Sequence, residues 1–192
     1  MKRLYLMRHA ETLFNKLGKI QGACDSPLTE NGKLQAQKAK EMIKEEGIVF
    51  DGLYCSTQER ASDTLEIVTN SSHYQRIKGL KEWHFGDFEG ESERLNPKIT
   101  PPATSYGEYF VEYGGESFLE VQERMKCSLL EIMTNANQSV LVVSHGGAIY
   151  SFSQLWLSFE KVKTLSFGNC AILVFEFDEA KQEFSFVEVL NP

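Results

Sequence analysis

Arg8 and His9 follow the apolar run Leu4-Tyr5-Leu6-Met7. Arg60 comes shortly after Leu53-Tyr54-Cys55, and His145 after Val140-Leu141-Val142-Val143. These residue types suit one kind of chemistry, the capture and transfer of an anion. A guanidinium fork matches phosphate oxygens, and an imidazole is largely neutral near pH 7 and can act as a nucleophile. The net charge of −7 argues against a basic face for nucleic acid, so an anionic ligand would meet its cations in one cleft. Zinc is a competing use for the histidines, but His9, His73, His84 and His145 show no HxxxH or His/Cys pairing. A Ser-His-Asp hydrolase would want a Gly-x-Ser-x-Gly elbow, which is absent. A histidine after a strand is by itself most often structural, and an arginine early in a helix is usually a surface residue. The reading shifts because three separate strand ends each supply a residue suited to one anion.

The positioning elements follow from hydrophobic patterning. Leu4–Met7 and Val140–Val143 are continuously apolar, as in strands buried on both faces, and residues 53–55 read as a third short strand. In open parallel sheets ligands bind at the carboxyl ends of strands, so parallel neighbours would bring His9 and His145 to one edge. Gly146 and Gly147 would let backbone approach a ligand closely. Thr29 can cap a helix running to about Glu46 and stopped by Gly47. A helix from Thr57, with Ala61, Thr64, Leu65 and Val68 at helical spacing, would put Arg60 in its first turn, where free N–H groups attract anions. Ser117 to Glu120 has the form of a capping box and opens a helix with the stripe Phe118, Val121, Met125, Leu129 and Ile132. Residues 171–177 and 184–189 read as two closing strands. Strands alternating with helices argue a layered α/β sheet.

No internal repeat or boundary divides the chain, so residues 1–192 are expected to form one domain. No apolar run reaches the ~18 residues of a membrane span. The short N-terminal apolar run has no cleavage site after it, and Cys24, Cys55, Cys127 and Cys170 form no CxxC pair. Reduced thiols and a cytoplasmic location are the simplest expectation.

Arg8-His9-Ala10-Glu11-Thr12 with Asn15 resembles the RHG signature of the histidine phosphatase superfamily, also called the phosphoglycerate mutase-like family. QGACDSPLTENG (21–32), STQERASDT (56–64), LKEWHFGDFEG (80–90) and VSHGGAI (143–149) resemble its later blocks, in order and across nearly the whole chain. The main departure is Ala10, where glycine is usual. The resemblance implies a three-layer α/β/α sandwich with a mostly parallel central sheet. It implies that His9 is the nucleophile that becomes phosphohistidine, and that Arg8, Arg60 and His145 clamp the phosphate. Glu82, favoured over the nearby Glu89, would be the proton donor to the leaving oxygen. Asn15 and Gln21 would make secondary contacts in the phosphate pocket, and Gly22 a backbone one. Phosphoryl transfer is mainly positioning and charge neutralisation, so such a site needs no metal or cofactor.

Residues 91–115, with Pro97, Pro101 and Pro102, are expected to form a lid over the pocket. Glu91, Glu93, Glu108 and Glu112 outnumber Arg94 and Lys98 there, whereas a mutase would need cations for a second phosphate and a carboxylate. The expected activity is therefore hydrolysis of small organic phosphates. The alternatives are a cofactor-dependent phosphoglycerate mutase and a non-catalytic phosphate-binding module; the intact His9, Arg8, Arg60, His145 and Glu82 set argues against the module. Tyr106, Tyr109, Phe110 and Tyr113 suit either contact with a leaving group or anchoring of the lid. His84 is expected at the pocket edge or surface and His73 on the surface, with Trp83, Phe85 and Phe88 in packing.

Overall fold

The computed structural model describes residues 1–135 and 138–192. Along the chain come β1 (Lys2–Arg8), α1 (Leu13–Leu17), α2 (Glu30–Glu45), β2 (Gly52–Ser56), α3 (Glu59–Thr69) and β3 (Gln75–Ile77). They are followed by α4 (Phe118–Asn135), β4 (Ser139–Ser144), α5 (Gly146–Ser153), α6 (Phe159–Thr164), β5 (Ile172–Asp178) and β6 (Glu183–Leu190). The six strands form one sheet in the order β3-β2-β4-β1-β5-β6, parallel from β3 to β1, with β5 and β6 antiparallel at the far edge.

The continuous apolar run of β1 is explained by two cores, one on each face of the sheet. Leu4 and Leu6 pack with Val121, Met125 and Leu129 of α4 and Phe152 of α5. Tyr5 and Met7 pack with Ala36, Ala39 and Ile43 of α2 and Ala61 and Leu65 of α3. Helices thus cover both faces, and a strand buried on both sides carries no polar alternation. The helix starts are set by side-chain caps. Thr29 Oγ1 accepts the Gly32 N–H at 2.9 Å, and Ser117 and Glu120 form a reciprocal capping box at 3.2 and 2.8 Å. α3 begins at Glu59, two residues later than expected, because Gln58 is still extended and its N–H donates to Ser56 Oγ at 3.2 Å. The three-residue β3 and the short α1, α5 and α6 were not anticipated; elements of this length show no usable periodicity.

Residues 91–115 contain only two 3-10 turns, Glu93–Leu95 and Val111–Tyr113. They are tied down along their length. Glu93 N–H donates to Gly18 O at 2.9 Å, Tyr150 OH donates to Thr104 O at 3.0 Å, and the fully buried Phe110 sits among Trp83, Phe85, Phe88 and Tyr106. Among the described residues no helix is long and apolar enough to cross a membrane.

Candidate active site

β1 and β4 are parallel neighbours in a register that pairs Arg8 with Ser144. The next residue of each strand, His9 and His145, therefore leaves the same edge, and the two imidazole centroids lie 5.2 Å apart. His9 Nδ1 is 2.7 Å from the Ala10 carbonyl, so Nδ1 carries the proton and Nε2 presents its lone pair. The flanking backbone is fixed: His9 N–H donates to Ser144 O at 3.0 Å, Ala10 N–H to Thr64 Oγ1 at 3.0 Å, and Asn169 Nδ2 to His9 O at 2.9 Å. Ala10 is fully buried and its methyl joins the core under α2 and α3, so the departure from glycine is accommodated by packing. Burial, and then the charges of Arg60 and Arg8, hold the His9 pKa well below 6.5, which keeps the ring neutral at neutral pH.

A cavity of about 530 Å³ opens over this edge, and Arg8, His9, Asn15, Gln21, Glu82 and Gly146 are among the residues that line it. Arg8 Nε is buried and has no hydrogen-bond partner among the described residues. A Cβ at position 146 would come within 3.3 Å of that Nε, so glycine gives Arg8 room at the start of α5. Asn15 Oδ1 accepts the Thr12 N–H at 3.2 Å, leaving Nδ2 free of protein partners among the described residues. Gln21 satisfies all its neighbours when its oxygen accepts from Arg60 Nε at 2.9 Å and its amine donates to Ser26 and Thr12 at 2.7 and 2.8 Å.

Arg60 and His145 sit behind His9, each fully buried, and neither is among the cavity-lining residues. Arg60 shares its one Nε–H between the Gln21 oxygen at 2.9 Å and His145 Nδ1 at 3.1 Å, and donates from Nη1 to Cys24 O and Asp25 Oδ1 at 2.9 Å each and from Nη2 to Gly22 O at 3.0 Å. With Nδ1 accepting, His145 carries its proton on Nε2 and donates it to Ser56 Oγ at 2.6 Å. Burial and the Arg60 charge also hold the His145 pKa well below 6.5. The start of α3, expected to attract the ligand, is met instead by Asp25, which accepts the Glu59 N–H at 2.6 Å. Gly22 gives its N–H to Glu89 Oε2 at 3.0 Å, and its carbonyl accepts from Gln58 and Arg60.

The two candidate carboxylates have different surroundings. Glu82 lines the cavity and accepts N–H groups from Trp83 (2.8 Å), Gly147 (2.9 Å) and Ala148 (2.8 Å), which hold it across the first turn of α5. Glu89 lies outside the cavity lining and accepts from Gly22 (3.0 Å), Ala23 (2.7 Å), Cys24 (3.1 Å) and Phe85 (2.9 Å), bracing one loop against another. Lys19, Glu93, Ile99, Tyr106 and Tyr150 also line the cavity. Phe110 is a buried anchor, and Tyr109 packs on Phe88, Phe110 and Tyr113, so the lid aromatics divide: Tyr106 faces the cavity and the others hold the segment down. His73 is exposed, and His84 is half-buried with Nδ1 accepting the Gly86 N–H at 3.1 Å. A larger cavity of about 730 Å³ beside β2 and β3 brings no arginine to its one histidine, His73. Burial raises the thiols of Cys24, Cys55 and Cys170 to about 12, so all three stay protonated at neutral pH. Among the described residues no group of three His, Cys, Asp or Glu side chains is placed to hold a metal ion.

The sequence model of the histidine phosphatase superfamily (branch 1) matches residues 4–189. The chain belongs to that superfamily. A 2,3-bisphosphoglycerate-dependent phosphoglycerate mutase of Bacteroides fragilis is 29% identical over 93% of this chain and 88% of its own. The phosphoserine phosphatase of Entamoeba histolytica, solved in complex with 3-phosphoglyceric acid, is 31% identical with a TM-score of 0.79, covering 100% of this chain and 98% of that one. A phosphoglycerate mutase from Bacillus anthracis str. Sterne, 23% identical, shares the fold with a TM-score of 0.82 over 97% of this chain and 91% of its own. Phosphatases and mutases thus both stand among the relatives of this superfamily member. Its supporting residues Ser56, Gln58, Thr64 and Asn169 escaped sequence reasoning. The first three lie inside the STQERASDT block but have no chemistry that marks them from sequence, and Asn169 lies outside every block.

Proposed function

We propose that the chain is a phosphomonoesterase working through a phosphohistidine on His9. The observation that carries this is the unprotonated Nε2 of His9 on a cavity that also holds the Glu82 carboxyl and an Arg8 Nε without a partner among the described residues. His9 Nε2 attacks phosphorus, the bond to the ester oxygen breaks, and Glu82 delivers a proton to the departing alcohol. Water then attacks the phosphohistidine and loses its proton to Glu82, releasing inorganic phosphate and neutral His9. Arg8, Asn15 and Gln21 are positioned to meet the phosphoryl oxygens, and Gly146 leaves room for them. Arg60 and the neutral His145 support His9 from behind, and Arg60 adds its positive charge there. Residues 91–115 act as the lid within a single domain, and no metal takes part.

The test is rapid quenching at high pH after mixing with a good substrate, then intact mass and peptide mapping. One added phosphate on a peptide containing His9, stable in base and lost in acid, is expected. Label on serine, or on His145 with His9 unmodified, refutes the scheme.

One feature of the cavity favours a particular leaving group. Lys19 Nζ lies over the Phe14 ring at 5.4 Å, and neither it nor Glu93 is in an ion pair among the described residues. A cation and a carboxylate lining one cavity, both unpaired among the described residues, suit an alcohol bearing both a carboxylate and an ammonium, as in the phosphoserine of the Entamoeba relative's name. Glu93 would repel the second phosphate of a mutase substrate. Glu93→Gln should erase any preference for phosphoserine over glycerol phosphate; an unchanged ratio removes this reading and leaves the phosphatase proposal standing.

A further inference from the structure

We propose that Arg124 is a positioning residue for Glu82, gripping the loop that carries it from outside the cavity; this rests on the reading of Glu82 as proton donor. Arg124 projects from α4 and uses all five guanidinium N–H groups. Nε and Nη2 form a bidentate pair with the Glu116 carboxylate at 2.8 and 2.9 Å. Nη1 donates to the carbonyls of Gly79 and Lys81 at 2.9 and 2.6 Å, and Nη2 also donates to the carbonyl of Glu82 at 2.9 Å. Glu116 extends the grip, because its Oε2 accepts the His84 N–H at 3.0 Å and its carbonyl accepts Trp83 Nε1 at 2.6 Å. A single ion pair therefore holds the loop on both sides of Glu82.

The loop reaches Arg124 because residue 79 is glycine; a Cβ there would lie 2.0 Å from Ser128 Oγ on α4. On the other side the Glu82 N–H donates to Gln58 Oε1 at 2.9 Å. Glu82 is thus fixed through both its N–H and its carbonyl, and its carboxyl is free to be aimed by the Gly147 and Ala148 N–H groups. A proton donor must meet the leaving oxygen within a fraction of an ångström, and a main-chain shift moves the carboxyl directly. Arg124 is not among the cavity-lining residues, so it does not touch the substrate and reaches the proton donor through that placement.

The experiment is a double-variant cycle read on two substrates, an alkyl phosphate and an aryl phosphate with an acidic phenol. Lysine cannot both fork Glu116 and reach three carbonyls. Arg124→Lys should lower kcat on the alkyl ester by about 10²-fold, the scale of a ~1 Å misplacement, with KM little changed and a much smaller loss on the aryl ester. In a Glu82→Gln background it should add less than about twofold. Equal losses on the two esters, or the same loss with and without Glu82, overturn the inference. If Arg124→Lys melts too low to assay, Glu116→Gln loosens the same grip and must show the same selectivity for the alkyl ester; a uniform loss overturns the inference there too. Glu82→Gln alone tests the underlying reading. A loss equal on both esters ends that reading and this inference with it, whereas a selective loss with an additive cycle ends only the role of Arg124.

Discussion

Glu89→Gln separates a carboxylate that braces the fold from one that does chemistry. Glu89 is half-buried and accepts four backbone N–H groups, from Gly22, Ala23, Cys24 and Phe85. Glutamine keeps one acceptor oxygen and turns an amine toward two of those donors. Losing two charge-assisted bonds at ~1.5–3 kcal/mol each, discounted for partial exposure, gives about 3 kcal/mol. For a chain of this size that is a fall in Tm of about 6–12 °C. The effect must also depend on pH. Burial pushes the Glu89 carboxyl upward, but hydrogen bonds from the Cys24 thiol and the backbone N–H groups outweigh it, and the folded value lies below 4.5. A depressed folded value contributes stability that is complete above the unfolded value and is lost as pH falls through the folded one. The gap in Tm between parent and variant should therefore be full at neutral pH and close as the pH falls below 4.5 through the depressed folded value. Thermal melts by circular dichroism across pH, with rates on alkyl and aryl phosphates, provide the assay. A Tm shift below about 2 °C refutes the bracing role. A rate loss confined to the alkyl ester would transfer the proton-donor role from Glu82 to Glu89.

Other outcomes follow from the same geometry. The anion is met by side chains, so hydrolysis should persist in EDTA; loss on chelation, restored by a divalent ion, would overturn the mechanism. Phe110→Ala should destabilise the fold by about 3–5 kcal/mol, as expected for a fully buried aromatic, and lower the rate on all substrates alike. Tyr106→Ala should instead reorder the substrate panel, and a uniform fall for Tyr106 would return it to packing. His9 and His145 both titrate well below 6.5 when folded, so the unfolded chain binds more protons from about that pH downward. The urea midpoint should therefore fall between pH 7 and 5, and a midpoint that rises would show that one of the buried rings is charged.

Several features were legible in the residues themselves. A run such as Leu4–Met7 has no polar alternation, and a short strand with that pattern needs cover on both faces, which argued an α/β sheet. Thr29 and the Ser117–Glu120 pair carried their helix starts in their own side chains. The five blocks from Arg8-His9 to His145 carried the family. These signals act over a few residues, where backbone geometry and local hydrogen bonding decide.

Pairing of β1 with β4 joins segments some 135 positions apart along the chain. Only that pairing sets His9 beside His145. Packing behind the histidines decided that Arg60 is enclosed by protein acceptors while Arg8 Nε has no partner among the described residues. It also decided that Glu82 faces the cavity and Glu89 the neighbouring loop, although they stand seven residues apart in one block. Arg124 and Asn169 belong to the site's support and lie in no block. Their roles come from which distant carbonyl or N–H the folded chain brings within hydrogen-bond range, and a one-dimensional pattern contains no such distance.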